Sequence, residues 1–255
     1  MAAPGRKMKI LLLNPNSSQA MTQAMLLAAR ATPISDSLQI DTYTAPAPAP
    51  ASIDDDADIE ASTRLAVDDM ALWQDLDLRT YDAVLVACFS VHPLVAALAG
   101  RLPGLPVTGI FEASVLSALS LVVGTERWGI ITTGKFWEAH LADGVGSFLG
   151  YEGASQCSKF CGVYSTGLTA GDFHTVSPDD IEAKLKAATK RLLSAGNVTC
   201  IAMGCGGMAG LEDIIRSAAR EEYGGERAAR LYIVDGVKAG ILQLRQTISS
   251  TRTFL

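Results

Sequence analysis

A parallel α/β fold is predicted for this chain from three observations. Short apolar runs alternate along the sequence with segments whose apolar residues recur at helical spacing. Several of these runs are apolar at nearly every position, which is typical of strands buried on both faces of a parallel sheet. Two pairs of similar strand and loop segments also recur at one common spacing, which indicates two α/β halves of similar fold.

The first elements follow from the N-terminal sequence. Residues 10–13 predict a buried strand, which runs into the polar loop 14–18 and then into a capped helix. A weak alternation over 38–43 predicts a second strand. The Ala-Pro repeat at 45–50 cannot be helical, because proline lacks the backbone N–H that a helix uses. Two interpretations of this loop remain open: a linker between elements, or a flap that closes over a site.

The middle of the chain predicts one amphipathic helix and three further strands. The helix spans about 56–76, and its apolar residues share one side: Ala61, Leu65, Leu72 and Leu76. The run 81–88 is apolar at nearly every position, so it predicts a strand buried on both faces that ends at Cys88. Two short strands and the small-residue helix between them complete this region: 105–110, 127–132 and 114–121.

The C-terminal third contains a strong helix start. Ser177 is a favourable N-cap residue, Pro178 stands at the first helical position, and acidic residues follow. The apolar stripe of this helix is Ile181, Leu185, Ala188 and Leu192. Gly196 is placed to end the helix. The remaining predicted elements are a strand, a helix, a strand and a final helix: 198–203, from about 211, 231–234 and from 237.

The repeat predicts how the halves are arranged. Two strand-and-loop segments place Asn16 and Thr133 at equivalent positions, and two buried strands each lead to a cysteine, Cys88 and Cys205. Both pairs are 117 residues apart. One duplication explains both spacings, although chance similarity of apolar strands is the alternative. The predicted first half covers 8–115 and is completed by the C-terminal segment 216–255, and the second half covers 116–215. Loops at the carboxyl ends of parallel strands would then line one shared cleft.

Composition and charge exclude several classes of function. The net charge is −6 and the pI is near 5.1, whereas nucleic-acid binding requires a concentrated basic surface. No apolar run is long enough to span a membrane. Five cysteines, an odd number, predict free thiols in a reducing compartment, the cytoplasm by default. Cys157 and Cys161 lack a second pair of Cys or His ligands at suitable spacing, so no metal site is predicted.

Cys88 and Cys205 predict proton transfer at a carbon centre. Each ends a buried strand, with small residues and a predicted helix start close behind, where backbone N–H groups can lower the pKa of a thiol. Two monoprotic groups on opposite faces of one carbon meet the needs of a racemase, one as thiolate base and the other as thiol acid. The charge that develops would be held by backbone N–H groups of three loops: Ser90-Val91, Thr133-Gly134 and Gly206-Gly207. This scheme requires no metal or organic cofactor. Cys200 lies inside a strand and is expected to be a core residue.

Three other features leave alternatives open. His92 lies four residues after Cys88 and suggests a Cys-His hydrolase, but Pro93 follows it and no orienting Asp is evident, so a role in shaping the pocket or a solvent-facing position is the alternative. Glu112 is expected either to bind substrate or to stabilise a subunit interface. A non-enzymatic small-molecule sensor that kept the cleft is a hypothesis from another class, against which the intact cysteine pair speaks.

Four motifs in order resemble the aspartate/glutamate/hydantoin racemase superfamily, most closely its hydantoin and allantoin racemase branch. The motifs are Leu13-Asn14-Pro15-Asn16-Ser17-Ser18, Ala87-Cys88-Phe89-Ser90-Val91-His92-Pro93, Ile131-Thr132-Thr133 and Gly204-Cys205-Gly206-Gly207-Met208-Ala209. The resemblance implies two Rossmann-like halves related by pseudo-twofold symmetry, with the active site in the cleft between them. The sequence departs from the pattern of the branch at the long Ala-Pro loop and at Phe111, and both departures affect the shape of the pocket.

The resemblance also implies roles for individual residues. Cys88 and Cys205 would be the catalytic acid and base, and the loops that hold the substrate would contribute Asn16, Ser17, Ser90, Val91, Thr132, Thr133, Gly206 and Gly207. The implied substrate is a small molecule, a hydantoin-type or allantoin-type ring, and the implied assembly is a homo-oligomer. Another carbon-acid reaction on the same fold stays open, such as that of an amino-acid racemase, a decarboxylase, an isomerase or a cyclase.

Overall fold

Two four-stranded parallel sheets form the framework of the protein. The computed structural model describes residues 6–69, 77–151 and 157–255. The first sheet has the order β2-β1-β3-β4, with β1 at Met8–Asn14, β2 at Leu38–Thr44, β3 at Ala83–Val86 and β4 at Val107–Gly109. The second has the order β6-β5-β7-β8, with β5 at Arg127–Thr132, β6 at Phe160–Ser165, β7 at Val198–Gly204 and β8 at Tyr232–Asp235. The two sheets therefore share one topology, and the predicted α/β class with two similar halves is confirmed.

Helices flank both sheets. In the first half of the chain they are α1 at Gln19–Arg30, α2 at Asp56–Asp68, α3 at Pro93–Arg101 and α4 at Ile110–Leu121. In the second half they are α5 at Phe136–Leu149, α6 at Pro178–Leu193, α7 at Glu212–Tyr223, α8 at Gly225–Ala229 and α9 at Gly236–Phe254. The duplication extends to these helices, because α1 and α5 begin 117 residues apart. None of the helices within the described ranges has both the length and the apolar character needed to cross a bilayer.

Local sequence accounts for the start of several helices. The Ser18 side chain accepts a hydrogen bond from the N–H of Met21, and Ser177 caps α6 in the same way at Asp180. The predicted stripe of α6, from Ile181 to Leu192, is buried as expected, and Gly196 adopts the left-handed backbone that ends the helix region. These helices are thus specified by their own residues.

Apolar strands place the core on both sides of each sheet. Along β1, Ile10 and Leu12 pack into a large cluster between the halves, whereas Leu11 and Leu13 pack into a cluster on the outer face of the first sheet. The large cluster also contains Trp128, which is fully buried, so the same core belongs to both halves. Burial on both faces explains why the sequences of these strands are apolar at nearly every position.

The ends of two predicted strands differ in the structure. The strand expected over 81–88 pairs only from Ala83 to Val86, because the chain turns at Cys88, where the N–H of Ser90 donates to the Cys88 carbonyl; Cys88 therefore lies in the turn beyond the sheet. The strand expected over 105–110 is shortened by α4, which starts at Ile110 rather than near Ser114 and takes up the end of that run.

The helix expected over 56–76 also differs. It ends at Asp68, and its buried residues are Ile59, Ser62 and Ala66. The residues that face the core therefore stand one position after the predicted ones. Ala61 and Leu65, which were predicted to face the core, are only half-buried. Leu72 and Leu76 lie outside the described residues.

Four elements were missed from the sequence: α3, α5, β6 and α8. The proposed division of the chain at 115/116 and 215/216 stays a prediction. Within the C-terminal segment assigned to the first half, β8 pairs with β7 of the second sheet, while α9 packs on β3 of the first. The C-terminal segment contacts both halves for a physical reason. β8 adds a parallel strand at the edge of the second sheet, and the helix that follows a parallel strand has to pack on a face of a sheet, here that of the first.

Candidate active site

Cys88 lies in a tight turn directly after β3. The turn is closed by the N–H of Ser90, which donates to the Cys88 carbonyl at 3.0 Å, and by the N–H of His92, which donates to the Ser90 carbonyl at 2.8 Å. The fully buried hydroxyl of Ser90 donates to Cys88 Sγ at 3.4 Å. The thiol is therefore held by its own loop and remains partly exposed.

Cys205 occupies the equivalent place after β7. It caps a short 3₁₀ turn at Gly206–Met208, and the N–H of Gly207 donates to its Sγ at 3.3 Å. This thiol is also partly exposed. The two cysteines therefore have matching positions at the carboxyl ends of the two sheets, as the repeat predicts.

Both cysteines line one cavity. It has about 440 Å³ of unfilled space, including open solvent at its mouth. Its wall combines residues from both halves: Asn16, Met21, Met25, Ile53, Ala87, Cys88, Phe89, Thr133, Trp137, Ala170, Gly204, Cys205, Gly206 and Gly207. Each of the four loops named from the repeat, after β1, β3, β5 and β7, contributes to this wall. The cleft is thus shared between the halves.

Burial raises the pKa of both thiols. For Cys88 it raises the pKa to about 12, helped by the nearby charges of Cys205, Glu112 and Asp54 and opposed by the Ser90 hydrogen bond. For Cys205 it raises the pKa to about 11, helped by Asp54 and opposed by the backbone N–H groups of Gly207 and Met208. The expected lowering of these pKa values is therefore wrong, because desolvation outweighs the hydrogen bonds that favour the thiolate.

Asn16 and Thr133 are placed to contact a ligand. The amide oxygen of Asn16 accepts from Asn14 Nδ2 at 2.8 Å and from the Ser18 N–H at 2.9 Å. Among the described residues its amide nitrogen has only the Met21 sulfur as partner, at 3.4 Å, and sulfur is a weak acceptor. The Asn16 side chain is thus oriented with its N–H donors toward the cavity wall. Thr133, Gly206 and Gly207 also line the cavity, as predicted.

Four other predicted binding residues lie behind the wall. Ser17 Oγ donates to the Ala49 carbonyl at 2.9 Å, and Thr132 Oγ1 donates to the Gly204 carbonyl at 3.1 Å. Ser90 contacts Cys88, as described above. Val91 is 42% exposed and faces Gly144 on α5. These four support the loops, and direct contact with substrate stays a prediction for each.

The Ala-Pro loop runs beside the cavity as part of a longer segment, residues 45–56, which we call the strap. Its start is held by the Ala45 N–H, which donates to the Asn14 carbonyl at 3.0 Å. Its middle is held by Ser17, whose N–H donates to the Pro50 carbonyl at 3.0 Å. Its buried Ile53 forms part of the cavity wall. The strap is therefore packed onto the site, and whether it opens as a flap stays a prediction.

His92 is a structural cap. It is 2% exposed, and its Nδ1 accepts from the N–H of Leu94 at 3.3 Å at the start of α3. Its Nε2 lies 3.2 Å from Ser62 Oγ on α2. Burial lowers the pKa of His92 to about 4. The ring is therefore neutral and bonded away from Cys88, which argues against a Cys-His hydrolase.

Glu112 stands in the first turn of α4, outside the cavity wall. Burial raises the pKa of its carboxyl, opposed by backbone N–H groups of Glu112 itself and of Gly109. Its Oε2 is buried without a hydrogen-bond partner in the part of the chain that is described. Glu112 stands at the third helical position and reaches back to the backbone N–H of Gly109, the N-cap residue, which is one half of a capping box.

The remaining cysteines are outside the site. All five cysteines are free thiols. Cys200 is fully buried in β7, as expected, and Cys161 donates to the Trp128 carbonyl at 3.0 Å. No group of three or more Cys, His, Asp or Glu side chains among the described residues is arranged to hold a metal ion.

Several wall residues were missed from the sequence: Met21, Met25, Ile53, Phe89, Trp137 and Ala170. Met21 and Met25 were noted only as the apolar face of α1, and helical spacing does not tell a core from a cavity wall. Trp137 lies on α5, which was not predicted. The 117-residue spacing could have indicated Trp137, because the equivalent position in the first half is Ala20, which is next to the wall residue Met21.

Comparisons with known proteins agree with this geometry. Residues 10–244 match the family model described as Asp/Glu/Hydantoin racemase. An uncharacterised protein of Schizosaccharomyces pombe is 31% identical over 234 residues, which cover 91% of this chain and 89% of the relative. A hydantoin racemase of a Pseudomonas species is 27% identical, covering 92% and 83%. The solved structure of allantoin racemase from Klebsiella pneumoniae shares the fold, with a TM-score of 0.73, 24% identity and coverage of 96% of this chain and 89% of that one.

Proposed function

Because this chain belongs to the Asp/Glu/hydantoin racemase family, we propose that it racemises a hydantoin-type or allantoin-type ring by proton transfer between Cys88 and Cys205. As a member of the family it is an isomerase of the racemase class. The observation that carries the proposal is the single cavity whose wall includes both thiols, one from each half. Relatives that act on hydantoin and allantoin support the choice of ring.

The proposed reaction uses the two thiols in turn. One cysteine, as thiolate, removes the proton from the stereogenic carbon, and the electron pair of the C–H bond moves onto the adjacent carbonyl oxygen as an enolate. The enolate then takes a proton from the other thiol on the opposite face. The first cysteine ends as a thiol and the second as a thiolate, so the enzyme is ready for the reverse direction and no external oxidant or cofactor is consumed.

The raised pKa values fit a carbon acid of this kind. A thiolate with a pKa near 11 is a stronger base than an ordinary cysteine, and the proton beside a hydantoin carbonyl is itself unusually acidic. The cavity then has to hold the enolate oxygen. The Asn16 amide N–H groups and the backbone N–H of Gly206 lie in the wall and supply donors for it, whereas the N–H of Gly207 is already bonded to Cys205 Sγ.

The charges around the cavity favour a neutral substrate. None of the lining residues within the described ranges is Lys, Arg or His. Asp54 and Glu112 both place negative charge near Cys88. A dicarboxylate substrate would therefore meet repulsion without a fixed cation to offset it. A neutral ring avoids that cost, which is why we place aspartate, glutamate and malonate-type acids second.

Single enantiomers in deuterated water test the proposal. The protein is incubated with each enantiomer of allantoin, of a 5-substituted hydantoin, of aspartate and of glutamate, and optical rotation and deuterium at the stereocentre are followed. Loss of rotation with deuterium incorporation is expected for a ring substrate. Turnover of the free amino acids alone would contradict the proposed substrate class, and release of carbon dioxide from a malonate-type acid would identify a decarboxylase instead. Binding without any exchange would favour the sensor hypothesis.

A further inference from the structure

The residues two places after each cysteine occupy equivalent positions in the two halves. They are Ser90 and Gly207, which stand 117 residues apart, the same spacing as the thiols themselves. Each donates a hydrogen bond back to the sulfur that precedes it, at 3.4 Å for Ser90 Oγ and at 3.3 Å for the Gly207 N–H. One position of the repeat therefore supplies a donor to each thiol, from a side chain in the first half and from the backbone in the second.

The backbone of the two turns explains this difference. After β3, the Cys88 carbonyl accepts the N–H of Ser90 at 3.0 Å, so that N–H is not available to the sulfur. After β7, the Cys205 carbonyl accepts the N–H of Met208 instead, at 3.1 Å, and the N–H of Gly207 reaches the sulfur. In the first turn a side chain therefore has to supply the donor.

The Ser90 side chain is held in place for this contact. It is fully buried, and Ser90 does not belong to the cavity wall. Within the described ranges its hydroxyl has Cys88 Sγ as its hydrogen-bond partner. The backbone is fixed as well, because the N–H of His92 donates to the Ser90 carbonyl at 2.8 Å. Ser90 thus contacts the sulfur from behind the wall, and a ligand in the cavity meets Cys88 rather than Ser90.

A hydroxyl can serve both protonation states of a neighbouring thiol. It has one donor and two acceptor lone pairs, so it can donate to a thiolate and turn to accept from a thiol. A backbone N–H can only donate, which favours the thiolate alone. Burial and the charges of Cys205, Glu112 and Asp54 raise the pKa of Cys88, and the Ser90 hydroxyl opposes them. Geometry and electrostatics therefore give this hydroxyl one role, exerted on the Cys88 sulfur.

We propose that Ser90 is a positioning residue that holds the Cys88 sulfur at the cavity and follows its proton, donating to the thiolate and accepting from the thiol. This inference rests on the proposed function, and it adds a residue that acts through Cys88 without contact to the substrate. The hydroxyl keeps its own proton throughout, because only its direction changes between the two states. Since Cys205 takes its donor from the backbone, the effect of Ser90 is confined to one of the two thiols.

The test compares Ser90→Ala with Ser114→Ala. Ser114 is also a fully buried serine of the first half, but its Oγ donates to the Ile110 carbonyl at 2.7 Å. Alkylation of Cys88 and Cys205 by iodoacetamide is followed at about pH 6 to 9 by mass spectrometry, since only the thiolate reacts. Ser90→Ala should slow alkylation of Cys88 about 10-fold at each pH, as for loss of a hydrogen bond to a charged group, and leave Cys205 unchanged. An unchanged rate for Cys88, or an equal slowing in Ser114→Ala, would overturn the inference.

A conservative variant separates the hydroxyl from the shape of the turn. Ser90→Thr keeps a hydroxyl at the same position, so its Cys88 should be alkylated at close to the wild-type rate. An equal slowing in Ser90→Thr and Ser90→Ala would assign the effect to the packing of the turn and contradict the inference. Thermal melts of both variants show whether the fold is kept.

Racemisation gives an independent readout. In Ser90→Ala we expect kcat for the ring substrate to fall about 10-fold while KM stays nearly constant, because Ser90 lies outside the cavity wall. A rise in KM at constant kcat would make Ser90 a substrate contact and overturn the inference. Wild-type protein that racemises no ring substrate would overturn the proposed function, whereas the alkylation rates need no substrate and test the contact between Ser90 and Cys88 by themselves.

Discussion

His140 on α5 lies against Asp56 at the start of α2, with 3.5 Å between Nδ1 and Oδ1. The contact joins the end of the strap to the second half of the molecule. The same imidazole packs edge-on to Trp137, a residue of the cavity wall, with 5.4 Å between the ring centroids. The position of the strap and the shape of the cavity are thus linked through one histidine.

Loosening this link should weaken substrate binding with little effect on stability. Asp56→Asn is expected to raise KM by up to about 5-fold, because an exposed polar contact of this kind contributes at most about 1 kcal/mol. Asp56 is 75% exposed, so the melting temperature should change little. Asp179→Asn is the matched control, since Asp179 is also an acid in the first turn of a helix but lies in α6. The same rise in KM for the control would show that the effect is not due to His140.

Single cysteine variants should separate the two faces of the reaction. Cys88→Ala and Cys205→Ala are each expected to lower racemisation by about 10²- to 10⁴-fold, the usual contribution of a general acid or base. Each variant should still exchange deuterium into one enantiomer faster than the other, because one base remains on one face. The measurement is proton NMR of each enantiomer in deuterated water.

Cys161→Ser is the control for these variants. Cys161 is half-buried in β6, outside the cavity, and serine can keep its hydrogen bond to the Trp128 carbonyl. Full activity is expected. If Cys205→Ala and Cys161→Ser both kept full racemase activity, the assignment of Cys205 as an acid-base residue would be wrong.

His92 should make the protein less stable in mild acid. Its pKa is lowered from 6.5 to about 4 by burial, so between these values the unfolded chain takes up a proton that the folded chain does not. Stability is therefore complete above pH 6.5 and is lost as the pH falls toward 4. At pH 5 the contribution of this group is a loss of about 2 kcal/mol.

Urea unfolding at pH 7 and pH 5 measures this loss. His92→Asn keeps a capping side chain at the start of α3 and removes the titrating group, so its stability should change less between the two pH values. An equal change in the variant and in the wild type would assign the acid sensitivity to other groups.

The packing of α9 on the first sheet should depend on a glycine. A Cβ at Gly240 would lie 2.4 Å from Leu85 Cδ1 on β3, so the fully buried Leu85 side chain would have to shift within the core. Gly240→Ala is therefore expected to cost about 1–3 kcal/mol of folding free energy, as for overpacking of a core. Gly225→Ala in α8 is the control, because a Cβ there has nothing within 4 Å. Thermal melts of both variants test this, and an unchanged Gly240→Ala protein would contradict the close approach.

The duplication made the positions of the two thiols predictable from the sequence. Strand hydrophobicity and the spacing of 117 residues placed Cys88 and Cys205 at equivalent strand ends, because each half repeats the same topology and parallel strands end at one edge of a sheet. The caps at Ser18 and Ser177 were also predictable, since a cap is a contact between residues three apart.

What the sequence by itself determined is therefore local or periodic: the α/β class, most strands, the helix starts and the paired thiols. Tertiary structure alone decided the rest. It directed Ser17 and Thr132 to backbone carbonyls rather than to the cavity, turned His92 into a cap, and brought Ile53 and Trp137 to the site. It also raised the pKa of both thiols, because desolvation depends on how much protein surrounds a group, and residues distant in sequence supply most of that protein.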